Sequence, residues 1–133
     1  MDDRLAKMKE WEDKCIKEHG WYVHVVPSNT EPFLNVHTHG LEKSFKHKDL
    51  QIVLPMDPKI SHGVISSAID LIKEGTVFKE GERYSEVITN FDVTCINTQE
   101  ADREVIRIIL PDPQGCLGVW EMKDPIYKGQ YFD

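Results

Sequence analysis

Apolar positions in the first eighteen residues recur every three or four places: Leu5, Met8, Cys15 and Ile16, with Trp11 flanking the stripe. That spacing predicts a helix over 3–18, with a solvated opposite face of Lys, Glu and Asp. Gly20 stands just past its end, where a glycine commonly stops a helix. The pattern then shifts to the two-residue period of strands. WYVHVV (21–26), FLNVHTH (33–39) and DLQIVL (49–54) are three such runs, the first two linked by the turn-forming PSNTEP. Asp57 before Pro58 reads as an N-cap with proline at the first helical position. Val64, Ile65, Ala68, Ile69 and Ile72 form the stripe of a helix over 58–74, and Gly75 ends it. YSEVI (84–88), FDVTCIN (91–97) and EVIRIIL (104–110) are strand-like again. Their short polar links predict an antiparallel meander. The tail, CLGVWEMKDPIYKGQYFD, predicts a short strand near Val119 and irregular chain beyond it.

These elements predict an α+β protein. It should have a single mixed or mainly antiparallel sheet of five or more strands, with two helices packed on one face. A chain of 133 residues fits one compact domain, 1–133. No internal repeat or low-complexity tract interrupts it.

Strand alternation divides the side chains between two faces. Trp21, Val23, Val25, Leu34, Val36, Thr38, Leu50, Ile52 and Leu54 form the more apolar face, which the helices should cover. Tyr22, His24, Asn35, His37, His39 and Gln51 then share the opposite face. Arg107, alternating against Ile106 and Ile108, can reach the same side.

Composition narrows the partners. The chain carries 23 acidic and 16 basic residues, a net charge of −7. A chain this acidic has no electrostatic reason to seek nucleic acid or an anionic membrane. No stretch approaches the roughly 20 apolar residues of a membrane span. The charged N-terminus lacks the apolar core of a signal peptide, so a cytoplasmic location is expected. Cys15, Cys95 and Cys116 are too few and too widely spaced for a disulfide framework or a metal knuckle. Cys95 shares a face with Phe91 and Val93 and reads as a core thiol. Trp120, Tyr127, Tyr131 and Phe132 are many aromatics for a free tail, which should pack on its own domain or on a second subunit. A small sheet with an open face or edge also points to a homodimer.

The candidate chemistry lies in FLNVHTHGL. His37 and His39 are two steps apart on one face, with Cα atoms about 6 to 7 Å apart. Two such imidazoles can reach one divalent metal ion such as zinc, with His24 as the third ligand and His47 or Asp49 as alternatives. Tyr22, His24, Asn35, Gln51 and Arg107 are the candidate ligand-binding residues of the same polar face. The competing reading is a polar face whose histidines only hydrogen-bond, or a subunit surface. TQEADRE, with Arg103, reads as a solvated link between strands. His19 and His62 read as cap or loop residues. No glycine-rich phosphate loop is present.

From Gly20 to Arg107 the chain resembles a bacterial family, the domain-of-unknown-function-4262 proteins. GWYVHVV is similar to the family's opening Gly-Trp strand. VHTHGL is similar to its Tyr-Thr-x-Gly-Leu element, with Thr38, Gly40 and Leu41 matching. HKDLQIVL is similar to its His-Pro-Glu-Leu strand, with His47 and Leu50 matching. LIKEGTVFKEG is similar to its Gly-x-x-Phe-x-x-Gly link. His37 stands where the family usually has tyrosine, His39 where it has an aliphatic residue, and Lys48 and Asp49 replace Pro-Glu. The resemblance therefore implies a cytoplasmic α+β domain and implies no metal and no activity.

Two functional expectations remain. The favoured one is a non-enzymatic module that binds a small ligand or a protein through the polar, His-lined face. The alternative is a metal-dependent, hydrolase-like enzyme with its ion at His37 and His39, the metal lowering the pKa of a bound water to about 7.

Overall fold

The computed structural model describes residues 3–132. Its helices are α1 (Asp3–His19), α2 (Leu41–Phe45), α3 (Pro58–Lys73) and α4 (Pro125–Lys128). Its strands are β1 (Tyr22–Pro27), β2 (Leu34–His39), β3 (Leu50–Leu54), β4 (Tyr84–Ile88), β5 (Phe91–Glu100) and β6 (Arg103–Ile109). The six strands form one mixed sheet in the order β1-β2-β3-β6-β5-β4, so the α+β expectation holds. β1 and β3 flank β2 antiparallel, and β4–β5–β6 form the antiparallel meander read from the sequence. The two halves meet where β3 runs parallel to β6, with Leu50 opposite Ile106 and Gln51 opposite Arg107.

The stripe of α3 covers the apolar face. Ile65, Ala68, Ile69 and Ile72 join Val36, Leu50, Ile52, Leu54, Ile106 and Ile108 in one buried cluster. Burying such side chains is worth about 1.5 to 3 kcal/mol each, which makes this face the main stabilising layer. Asp57 caps the helix, its side chain accepting the Lys59 amide at 2.9 Å.

Helix α1 is held differently, because none of its residues is buried. It runs beside β1 and turns Trp11 and Glu12 towards Tyr22 and His24. Its C-terminal end is set by Gly40, which has φ 105°. A Cβ there would lie 2.6 Å from both the Gly20 carbonyl oxygen and Ile16 Cδ1, so only glycine allows this approach.

Three elements depart from the sequence reading. β5 continues to Glu100 rather than stopping near 97, and a two-residue turn with Ala101 at φ 54° connects it to β6. Val119 lies in a turn, not a strand. The tail is not irregular throughout: Asp124 caps α4, and a 3-10 turn follows at Gly129–Tyr131. The tail packs on its own domain through Leu117, Met122 and Gln130, while Trp120 and Phe132, two of the four aromatics that suggested packing, stay exposed. Gln130 is fully buried; its side chain accepts the Leu110 amide at 2.8 Å and donates to the Leu110 carbonyl at 2.9 Å. Among the described residues no helix is long and apolar enough to cross a membrane.

Candidate metal centre

The β1–β2 register sets the centre. His24 lies opposite His37, and Tyr22 opposite His39. Alternation puts all four rings on the face away from α3. The ring centroids of His24 and His37 are 5.7 Å apart, His24 and His39 4.7 Å, and His37 and His39 5.1 Å. One nitrogen from each imidazole lies within 4.8 Å of the other two. Tyr22 stacks on His39 with centroids 5.1 Å apart and 20° between the planes.

Burial sets the charge of these rings. It pushes the His37 pKa down to about 4; His39, Arg103 and His24 add to the effect, while Glu100 opposes it. His39 is lowered as well, chiefly by burial and then by Arg103 and His24. Both shifts favour the neutral ring, the form that can coordinate a metal.

A chain of polar side chains fixes which nitrogen of His37 bears the proton. Arg107 can only donate, and its Nε–H donates to Gln51 Oε1 at 2.8 Å. Gln51 must then present Nε2, which donates to Asn35 Oδ1 at 3.0 Å. His37 Nδ1 lies 3.0 Å from that same oxygen and so carries the hydrogen. In the neutral ring Nε2 keeps its lone pair, and it faces Glu100 Oε1 at 3.0 Å. Two lone pairs at that distance repel unless a cation or a proton lies between them. His24 has a simpler second partner: its Nε2–H donates to Glu12 Oε2 at 2.7 Å, leaving Nδ1 as the acceptor. The third ring is unsatisfied, since His39 Nε2 is buried with no hydrogen-bond partner. An unpaired buried polar atom is costly, of the order of 1 to 3 kcal/mol.

The alternative third ligands proposed from sequence are corrected here. Asp49 Oδ1 accepts from Thr38 Oγ1 at 2.7 Å and from the Leu41 amide at 3.1 Å, and Oδ2 accepts from Arg103 at 2.6 Å. Its lone pairs hold β2, α2 and β6 together. His47 Nδ1–H donates to the Lys48 carbonyl at 2.7 Å, and Nε2 accepts the Phe78 amide at 3.1 Å. Both ring nitrogens of His47 serve the backbone.

The five candidate ligand-binding residues do not line one pocket. Tyr22 borders a mainly apolar groove of about 650 Å³ between α1 and α3, together with Trp11, Trp21 and His62. Asn35, Gln51 and Arg107 border a separate polar cleft of about 210 Å³ next to Glu100. Gln51 and Arg107 are themselves buried and bonded to each other. His24 belongs to the histidine cluster.

Three residues around the site were missed from sequence: Glu12, Glu100 and Arg103. Arg103 is no solvated link. It donates to Asp49, to the Thr38 carbonyl at 2.7 Å and to Glu100 Oε1 at 3.1 Å. The length of β5 was the available signal, because a tight turn at Ala101 aims Glu100 and Arg103 back over the sheet.

Fold and site together define an α+β domain that carries three converging histidines on the face of a mixed sheet opposite α3. The chain belongs to the family described as domain of unknown function (DUF4262), whose profile matches residues 15–106. The match takes in His24, His37, His39 and Glu100. No curated protein and no solved structure matches the chain.

Proposed function

We propose that this protein is a binding module whose ligand is a divalent transition-metal ion, zinc being the type, held by His24, His37 and His39. The observation that carries the reading is the convergence of three imidazole nitrogens within 4.8 Å, one of them buried and unpaired. Ligands about 2.0 to 2.1 Å from a tetrahedral zinc ion sit about 3.3 to 3.4 Å apart, so small ring rotations close the site. An all-imidazole donor set suits zinc, copper or nickel better than magnesium or calcium. The surroundings fit the same reading. Glu12 accepts from the far nitrogen of His24, and Asn35 from that of His37, the orienting contacts that metal-bound histidines use. On this reading Asn35, Gln51 and Arg107 hold His37 in its tautomer, and Tyr22 packs on His39.

A second reading is hydrolytic. Three protein ligands leave a coordination position for water, and the Glu100 carboxylate lies beside it as a candidate base.

Elemental analysis of untagged protein, with calorimetric titration of the metal-stripped form by Zn²⁺, tests the first reading. One equivalent of bound metal is expected, and replacing His37 and His39 together by alanine should abolish uptake with the fold retained. Failure of the stripped wild type to bind Zn²⁺, Ni²⁺ or Cu²⁺ removes both readings.

A further inference from the structure

The groove between α1 and α3 meets the histidine cluster only through Tyr22, which stacks on His39. Its volume of about 650 Å³ lies within the roughly 300 to 1,000 Å³ typical of small-molecule pockets. Trp11 and Cys15, four residues apart on α1, form one wall, Trp21 and Val23 the floor, and Lys59 and His62 of α3 the other wall. Helix α1 buries none of its residues, which leaves the space between it and α3 unfilled. No carboxylate lines the groove, although the chain has 23 acidic residues. Asp57, beside it, is engaged as the cap of α3 through the Lys59 amide, and Glu18 lies 3.8 Å from the rim residue His19. The one fixed charge of the lining is the Lys59 ammonium, which makes no ion pair among the described residues.

We infer that this groove binds a small aromatic carboxylate, its conjugated ring lying against Trp11 and Trp21 and its acid group reaching Lys59 and His62. Charge complementarity carries the choice of ligand: an acidic chain presents here an apolar slot with a cationic rim and no acid. The rings themselves suit a flat ligand better than a cation. Trp21 and His62 lie 31° from parallel with centroids 5.4 Å apart, so one indole face already carries an imidazole. Trp11 meets Tyr22 edge-on at 70°. The rings pack on one another and do not close around a point, as a cation cage requires. What they offer is an apolar wall on which a conjugated ring can stack. A second copy of the chain is a poorer occupant, because two chains of net charge −7 repel. The inference stands apart from the metal reading and does not depend on it.

The test uses the full chain with chelator present, so that no ion at the histidines can hold a carboxylate. The probes are 2-naphthoate and its cationic counterpart 2-naphthylmethylammonium, titrated by calorimetry. The protein should bind one equivalent of 2-naphthoate, and the cation at least tenfold more weakly. Saturating 2-naphthoate should slow disulfide-reagent labelling of Cys15 at least fivefold and leave Cys116, outside the groove, unchanged. Lys59→Glu should lower the affinity at least fivefold, while Lys59→Arg keeps it within twofold. Lys59 is exposed, so neither substitution disturbs the core. Absence of saturable 2-naphthoate binding at millimolar concentration overturns the inference. So does equal affinity for the two probes, an unprotected Cys15, or a Lys59→Glu protein within twofold of wild type. A dimer by light scattering in which Cys15 is already shielded and 2-naphthoate changes nothing assigns the groove to a second copy, and overturns it as well. Each of these failures leaves the metal reading as it was, because all are measured without metal.

Discussion

Arg103 Nη1 donates to Asp49 Oδ2 at 2.6 Å, tying together residues 54 positions apart beside the parallel β3–β6 pairing. The other carboxylate oxygen holds Thr38 and the backbone of Leu41. Asp49→Ala strands both of these donors and leaves the Arg103 guanidinium without its main anion. A loss of about 2 to 4 kcal/mol is expected, read as a lower urea midpoint at constant slope. A loss below about 1 kcal/mol would show that water replaces the carboxylate at little cost.

His39 opposes stability in the metal-free protein, because its buried Nε2 has no partner. His39→Phe keeps a ring for Tyr22 to stack on and removes the unsatisfied atom. The metal-free variant should melt at a higher temperature, by about 1 kcal/mol of added stability, and should bind no Zn²⁺. Stability and ligation then move in opposite directions, as at sites kept for function. An unchanged or lower melting temperature would mean that Nε2 is satisfied in solution.

His47 separates a backbone role from a metal role. His47→Ala leaves the amide of the buried Phe78 unpaired. It should cost about 1 to 3 kcal/mol and leave Zn²⁺ affinity as in the wild type. Parallel denaturation and calorimetric titrations check both halves, and a lost metal site with normal stability would reverse the assignment.

The Cys95 thiol is pushed up to about 11, first by burial and then by Glu80 and Glu82, and its Sγ–H donates to the Lys79 carbonyl at 3.1 Å. Thiolate is the reactive form. At pH 8 a disulfide reagent should label the half-buried Cys15 and Cys116 in the native protein. Cys95 should react only after denaturant is added. Rapid native labelling at Cys95 would show that the loop at Lys79 opens.

The histidine cluster was legible because it depends on local geometry: alternation along two strands, then antiparallel pairing of neighbours in sequence. His24, His37 and His39 needed nothing else. The tautomer of His37 was not legible, because it depends on Arg107, and β6 reaches β3 through a parallel pairing that no local pattern announces. Glu12, Glu100 and Arg103 looked like ordinary surface charge. A carboxylate on a solvated helix face and one turned onto a sheet carry the same sequence signature, and only the turn at Ala101 distinguishes them. His47 and Asp49 were read as candidate ligands for the converse reason. Sequence shows a side chain's capacity to coordinate, but not the backbone groups that already occupy it.

The sheet is bipartite. Residues up to β3 supply one set of hydrogen-bonded neighbours, the meander from β4 supplies the other, and they join along a single seam. A chain cleaved in the exposed loop near Gly81 therefore yields two fragments that each keep their own strand ladder. Such fragments are suited to reconstitution in trans. His24, His37 and His39 would sit on one fragment and Arg103 and Arg107 on the other, so the Asp49–Arg103 and Gln51–Arg107 bonds and the shared apolar cluster would guide the halves back into register.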